Sequence, residues 1–160
     1  MPELPEVEVV KKSLEDRLKN LTIKRVVINN NKLRYKINNK KFHSIKGKKI
    51  TSVKRRSKYL LINLSHHSTI LAHLGMTGKF FIVNNNIKQK TSFYYSITKN
   101  EAKHDHVTIH LDKGFKLIYN DIRKFGFLKI LKSKNVSKSN HLKFLGPEPL
   151  TKKFNFNYVN

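Results

Sequence analysis

Residues 107–119 read VTIHLDKGFKLIY, and this stretch decides the fold class. Two runs rich in β-branched and aromatic residues, 107–111 and 115–119, flank Asp112, Lys113 and Gly114. A short polar segment ending in glycine between two such runs is a typical hairpin turn. The stretch therefore predicts two antiparallel strands joined by a tight connection.

Further strands are predicted on both sides of this hairpin, because short β-rich runs recur with turn signals between several of them. Two segments rich in Asn and Lys, 29–41 and 84–99, are predicted to be exposed loops. The sequence thus predicts a mainly antiparallel α+β domain, a β-sandwich or pseudo-barrel of about eight strands. The six additional strands are predicted at 21–28, 49–55, 58–64, 68–74, 79–83 and 125–131.

One amphipathic helix is predicted before the strands. Pro5 suits the first turn of a helix, where its missing N–H is no loss. The helix is expected to end near Asn20. Apolar residues recur at steps of three and four over this segment, at Leu4, Val7, Val10, Leu14 and Leu18.

The charge of the chain points to a polyanionic partner. The 160 residues contain 34 Lys and Arg against 10 Asp and Glu, a formal net charge of +24, and no acidic residue occurs from Arg17 to Asn100. Such a surface suits nucleic acid, although a merely solubilising surface remains an alternative. With no cysteine, disulfides, thiolate zinc sites and thiol nucleophiles are excluded. No apolar run reaches the roughly 20 residues of a membrane helix, so a cytoplasmic protein is expected.

The first eight residues, MPELPEVE, offer a nucleophile. Removal of Met1 would leave Pro2 with a free secondary amine, and α-amino groups titrate near 7.7–8.0. Attack of such an amine on a sugar C1′ gives an iminium, the electron sink of covalent amine catalysis. Glu3 and Glu6 could then move protons beside it. The alternative is structural, because acidic residues also stabilise the positive end of a helix dipole.

Two other segments suggest contacts with nucleic acid. Four cations in positions 54–58, including Arg55, Arg56 and Lys58, precede an apolar strand and could contact phosphates, or could simply be solvated. In HLGMTG at 73–78, two glycines bracket Met76, which either packs in the core or forms an exposed wedge between bases.

Residues 103–106, KHDH, resemble a metal-ligand cluster. His104 and His106 would share one face of a strand, but no third ligand is fixed nearby, so a phosphate contact or a structural hydrogen bond is favoured and no metal site is predicted. Arg123 and Phe125 stand two residues apart before a strand, so that Arg123 could contact a base edge while Phe125 stacks.

The order and spacing of these segments resemble the formamidopyrimidine-DNA glycosylase family of base-excision repair enzymes. The chain has the family's N-terminal signature, MPELPEVE, followed in family order by five more motifs. These are RRSKY at 55–59, HLGMTG at 73–78, KHDHV at 103–107, DIRKFG at 121–126 and LGPEPL at 145–150.

The resemblance implies a bifunctional DNA glycosylase and AP lyase that removes 8-oxoguanine or formamidopyrimidine from damaged double-stranded DNA. Pro2 would attack C1′, Glu3 would assist ring opening, and Lys58 would be the proton donor of β-elimination. His73 and His104 would contact DNA. Three residues would fill the space left by the flipped nucleotide, namely Met76, Arg123 and Phe125.

Two departures from the family pattern stand out. Ile122 and Lys124 occupy positions where the family usually has Pro and Arg, which loosens the expected turn geometry and leaves the opposite-base preference open. The family also continues into a helix-two-turn-helix domain and a four-cysteine zinc finger. We therefore expect residues 1–144 to be the N-terminal catalytic domain and 145–160 to be a linker with the start of a missing domain.

The expected protein is a monomer without a cofactor of its own, and it is expected near the nucleoid. One alternative is that a separate chain supplies the missing C-terminal domains. The activity of this chain is expected to be impaired by truncation. The alternatives are a non-catalytic nucleic-acid-binding remnant of the family and an endonuclease VIII-like glycosylase for oxidised pyrimidines. A basic RNA-associated protein with no repair role is a further alternative.

Overall fold

A computed structural model describes residues 3–92, 101–143 and Leu145. Its regular elements follow the predicted order, with one long helix first and strands after it. In the described residues there are two α-helices and nine β-strands: α1 Leu4–Leu18, β1 Ile23–Ile28, α2 Asn39–His43, β2 Ile50–Arg56, β3 Tyr59–Leu64, β4 Ser68–His73, β5 Gly78–Asn84, β6 Ile87–Lys90, β7 Asp105–Leu111, β8 Phe115–Asp121 and β9 Phe127–Lys132.

The strands form two antiparallel sheets. One has five strands in the order β1-β7-β8-β5-β6, and the other has four in the order β2-β3-β4-β9. The prediction of a mainly antiparallel α+β fold with an N-terminal helix is confirmed. Over the described part of the chain, the sheets remain separate and do not close into a barrel.

The core lies between the two sheets and beneath α1. The helix buries Val7, Val10, Leu14 and Leu18 along one stripe and packs against β2 and β3. This is the predicted periodicity, and it holds the N-terminal end of α1 beside the β2–β3 hairpin. No helix of the described residues is long and apolar enough to cross a membrane.

The hairpin at 107–119 forms as predicted. Lys113 and Gly114 both adopt positive φ, at 57° and 79°, and the Phe115 amide donates to the Asp112 carbonyl at 3.2 Å. Strands β7 and β8 extend further than predicted and place Asp105 opposite Asn120. This register brings the segment at 104–106 next to the end of β8.

Two predictions about loops were wrong. The segment 29–41 contains the start of α2, whose N-cap Asn38 accepts a hydrogen bond from the Lys41 amide and whose Phe42 is buried. The segment 84–99 contains β6, which is exposed at every position and therefore has no hydrophobic alternation to reveal it. Residues 93–99 of that segment lie outside the described residues.

Leu14→Ala tests the packing of α1 on the sandwich. Leu14 has no solvent exposure, so the truncation leaves a cavity and should lower the free energy of unfolding by about 2–5 kcal/mol. Urea denaturation followed by circular dichroism measures the change. The matched control is Lys12→Ala on the exposed side of α1, expected within about 0.5 kcal/mol of the parent. Equal losses in both variants would contradict the placement of α1.

Candidate functional site

Glu3 and Lys58 form an ion pair at the N-terminal end of α1. Glu3 is the N-cap residue of the helix, and Lys58 lies in the turn between β2 and β3. Their Oε2 and Nζ atoms are 3.6 Å apart, with 69% of the Glu3 side chain and 32% of the Lys58 side chain exposed. A pair this exposed adds little to stability. Its importance is that it places the Glu3 and Lys58 side chains together at the start of α1. Pro2, the predicted nucleophile, lies outside the described residues.

Arg55 fixes the helix to the same hairpin. Its Nε donates to Glu8 Oε2 at 2.5 Å, and its Nη1 donates to the Ser57 carbonyl at 3.0 Å. Its side chain is only 8% exposed. Arg56 Nη2 donates to the Leu145 carbonyl at 2.9 Å. Both guanidinium groups thus have protein partners, and the predicted phosphate contacts of Arg55 and Arg56 stay predictions.

His73 ends β4 within an aromatic cluster. Its ring stacks on Phe127, with centroids 5.7 Å apart and 9° between planes, and it lies 5.0 Å from the Tyr59 ring. The Gly75 amide donates to Nδ1 at 3.0 Å. Burial, together with the positive charges of Arg34, a protonated His141 and Lys58, lowers the pKa of His73. A neutral ring that accepts at Nδ1 carries its proton on Nε2, which is therefore available as a donor.

Three of the predicted contact residues are exposed on two adjacent loops. Met76 and Phe125 are each 45% exposed, which rules out the alternative that Met76 packs in the core. The Arg123 guanidinium carbon lies 5.0 Å from the centre of the Phe125 ring. Phe125 precedes β9 and was wrongly predicted to belong to it. The two loops, 74–77 and 122–126, present an unbranched thioether, a cation and an aromatic ring to solvent.

Asp121 joins these two loops. Its carboxylate has no solvent exposure. Oδ1 accepts from Thr77 Oγ1 at 2.6 Å and from the Lys124 amide at 3.1 Å. Oδ2 accepts from Tyr119 Oη and from the Gly126 amide, both at 2.9 Å. Asp121 was not among the predicted site residues, although it opens the DIRKFG motif that suggested the family.

The loops also require glycine where they meet. Gly75 has φ +61°, and a Cβ there would lie 2.5 Å from the Gly126 amide nitrogen. A Cβ on Gly126 would collide with Tyr119 Oη and the His73 carbonyl. Since neither position has room for a side chain, the backbones approach as closely as they can, and the exposed residues on each loop are held side by side.

The remaining predicted residues are placed differently from one another. Glu6 is half-buried in the first turn of α1. His104 is half-buried at the end of a 3₁₀ helix, Glu101–His104, so it does not share a strand face with His106 as predicted. His106 is buried in β7, where its Nε2 lies 2.6 Å from the Asp121 carbonyl oxygen.

Metal binding has little support from these residues. Among the residues that the structure describes, no group of three His, Asp or Glu side chains could hold a metal ion. The chain also contains no cysteine. Its residues therefore do not fit a four-cysteine zinc site.

Sequence reasoning missed the cluster around His73. Tyr35, Phe127 and His141 come from three distant segments, and their rings pack edge to face or tilted at centroid distances of 4.6–5.5 Å. Lys129 Nζ lies 4.0 Å from the Tyr35 ring centre. Aromatic residues were visible in the sequence, but no local pattern relates positions so far apart.

Asp121→Ala tests whether this carboxylate holds the loops. Removal leaves four donors without their acceptor in a buried place, and we expect a loss of about 3 kcal/mol in the free energy of unfolding. Asp121→Asn keeps one acceptor oxygen and should lose less. Chemical denaturation measures both, with the exposed Asp16→Ala as control. An Asp121→Ala variant as stable as the Asp16→Ala variant would refute the assignment.

The pKa of His73 gives a second test. Because this pKa is lowered on folding, the unfolded chain binds more protons, so the stability contributed by neutral His73 is present above about pH 6.5 and lost as the pH falls through the folded pKa. NMR titration of ¹³C-labelled histidines, assigned with His73→Gln, should give a midpoint below about 6.5. A midpoint at or above that value would contradict the buried, cation-flanked environment.

Comparison with known proteins identifies the fold. The family model of the formamidopyrimidine-DNA glycosylase N-terminal domain matches residues 1–128. A formamidopyrimidine-DNA glycosylase of Rhodopseudomonas palustris is 36% identical over 154 residues, covering 96% of this chain and 53% of the relative. One from Rickettsia bellii is 38% identical over 159 residues, covering 99% and 54%. The chain thus spans about half the length of these curated relatives.

Solved structures agree with the sequence comparison. The Lactococcus lactis protein Fpg bound to DNA containing an oxidised pyrimidine superposes with a TM-score of 0.76 at 29% identity, over 96% of this chain and 53% of that chain. Its complex with DNA containing an abasic site gives a TM-score of 0.76 at 28% identity, with the same coverage. The family model, the curated relatives and the superpositions all lead to one assignment: this chain belongs to the formamidopyrimidine-DNA glycosylase family and contains its N-terminal domain.

Proposed function

We propose that this chain acts in base-excision repair as a DNA glycosylase and AP lyase for oxidised purines, with Pro2 as the nucleophile. The observation that carries the proposal is the Glu3–Lys58 pair at 3.6 Å, formed by the residue that follows Pro2 and by the hairpin turn. Iminium chemistry needs a general acid and a general base close to the amine, and a carboxylate and an ammonium group can fill these roles.

The proposed reaction begins when the deprotonated Pro2 amine attacks C1′ of the damaged nucleoside. The glycosidic bond breaks, and the base leaves with the bonding electrons and takes up the proton that the Pro2 nitrogen loses after forming its bond to C1′. Glu3 protonates the ring oxygen as the sugar opens, so that the Pro2 nitrogen and C1′ form an iminium. The iminium accepts electrons when a C2′ proton is removed, and the 3′-phosphate leaves by β-elimination, with Lys58 as a proton donor.

DNA binding in this proposal uses residues at the end of the four-stranded sheet where His73 lies, together with His104 beside the five-stranded sheet. His73 offers an Nε2–H donor to a phosphate oxygen, and His104, Arg55 and Arg56 are further candidates for contacts. A long stretch without acidic residues, 17–100, leaves the positive field of the domain uncompensated along most of its sequence. Phosphates near Lys58 would meet both a local cation and this wider field.

The paired loops would fill the space left by the flipped nucleotide. Met76 is flexible and apolar and could enter the stack, while Phe125 could wedge between bases. Arg123 would face the orphaned base. The exposure of Met76 and Phe125, and the shared carboxylate of Asp121 beneath them, support this role.

Borohydride trapping tests the proposal. The chain is incubated with duplex DNA carrying an abasic site and with duplex carrying 8-oxoguanine, and sodium borohydride reduces any iminium to a stable adduct visible on a denaturing gel. We expect an adduct with the parent. We expect none with a Pro2→Gly variant that still carries Met1, as verified by mass spectrometry. Lys58→Met should reduce strand cleavage by about 10²–10⁴-fold, the scale of a lost general acid, and Lys46→Met serves as the control for charge.

The outcomes separate the alternatives. Binding of the duplex without any adduct would overturn the enzyme and favour a non-catalytic nucleic-acid-binding domain. The same assay on thymine glycol addresses the second alternative, for which the L. lactis complex with oxidised-pyrimidine DNA is the specific support. Faster excision of thymine glycol than of 8-oxoguanine would overturn the purine preference. Because the chain spans half of its relatives, addition of a separately made C-terminal half tests whether a second chain raises the activity.

A further inference from the structure

A basic pocket lies at the opposite end of the four-stranded sheet from the candidate site. It has a volume of about 560 Å³ and is lined by Lys48, His66, His67, Ser68, Lys132 and Lys134. Such a volume lies within the roughly 300–1,000 Å³ of small-molecule sites. None of these residues was singled out by the sequence motifs, and the proposed repair chemistry does not use them.

The strand register separates this pocket from the candidate site. In β4, His73 pairs with Phe127 at one end and Ser68 pairs with Lys132 at the other. Five residue steps at about 3.3 Å each place the two ends roughly 17 Å apart. A ligand in the pocket would therefore not contact Glu3, Lys58 or His73.

The pocket wall is positively charged and provides hydrogen-bond donors. Lys48 Nζ donates to Ser68 Oγ at 2.5 Å, which anchors this half-buried ammonium group and leaves it further N–H donors. Lys132 and Lys134 are exposed on the same side. Within the described part of the chain, the ion pairs of Lys11, Arg55 and Lys58 are made with acidic side chains of α1 and its N-cap, and none of these pairs lies at this wall.

The turn at the pocket mouth is shaped by an unusual backbone. His66 and His67 both have positive φ, 60° and 61°, in a turn that usually selects Asn and Gly. The His67 carbonyl accepts from the Ser133 amide at 2.8 Å, and Ser133 Oγ lies 2.8 Å from Thr69 Oγ1. These bonds fix the turn against the end of β9 and hold two exposed imidazole rings beside the lysines.

We propose that this pocket binds a phosphate-bearing ligand of mononucleotide size. Three ammonium groups and a serine hydroxyl match the oxygens of one or two phosphates. The imidazole faces of His66 and His67 provide surfaces on which a base can stack, as aromatic side chains do in nucleic-acid complexes. This inference is independent of the repair reaction.

Isothermal titration calorimetry of the full chain tests the proposal, with adenosine 5′-diphosphate, pyrophosphate and adenosine as separate probes in low-salt buffer. We expect the diphosphate nucleotide to bind best, pyrophosphate to bind more weakly and adenosine not to bind. Lys132→Gln/Lys134→Gln should weaken nucleotide binding at least tenfold. His66→Asn/His67→Asn keeps residues that tolerate positive φ and should reduce the nucleotide to the affinity of pyrophosphate.

The matched control is Lys12→Gln/Lys24→Gln, which removes the same charge from two exposed lysines that do not line the pocket. It should leave nucleotide affinity within twofold of the parent. Equal losses in the two lysine double variants would show a general charge effect and overturn the site. Failure of the nucleotide to bind would overturn the site as well. This includes the outcome in which Lys132→Gln/Lys134→Gln weakens binding of an undamaged duplex while the parent does not bind the nucleotide.

The readouts also keep this proposal separate from the repair reaction. Borohydride trapping on abasic DNA should be unchanged in Lys132→Gln/Lys134→Gln. Loss of trapping together with loss of nucleotide binding in that variant would contradict two separate sites and overturn the proposal.

Discussion

The buried carboxylate of Asp121 is the constraint on which the arrangement of the two exposed loops, 74–77 and 122–126, depends. A charge without solvent contact is tolerated only if hydrogen bonds replace its water, and here a hydroxyl and an amide serve each oxygen. The donors come from β8, from the loop that carries Met76 and from the loop that carries Arg123 and Phe125. Satisfying one side chain therefore fixes the relative position of both loops.

The acidic residues at the start of the chain have a related role at the other side of the site. Glu8 pairs with Arg55, and Glu3 with Lys58, so both acids contact the β2–β3 hairpin. The hydrophobic stripe of α1 determines which face is buried, and these pairs set how the beginning of the helix meets the turn. The structural and catalytic interpretations of the N-terminal acids are thus compatible, since a helix held in this way also fixes the place of its first residues.

Much of the fold could be predicted, because strand alternation, helical spacing and turn residues are local properties. The stripe from Val7 to Leu18 and the 107–119 hairpin were both predicted on such grounds. The strand Ile87–Lys90 could not be, since none of its side chains is buried and only pairing with β5 makes it a strand. The bond between Thr77 and Asp121 spans 44 residues, and the ring cluster of Tyr35, Phe127 and His141 also depends on tertiary contacts that no short pattern encodes.

The fully exposed strand β6 stands at the end of the five-stranded order and carries Lys88 and Lys90. Lysines on a terminal strand disfavour docking of an identical copy alongside it, because like charges would be brought together. That barrier depends on ionic conditions. A concentrated polyanion or high salt would screen the lysine charges. Ile87, which is 64% exposed, could then pack against an identical copy. The colloidal behaviour of this protein is therefore tied to the same positive charge that favours a polyanionic partner.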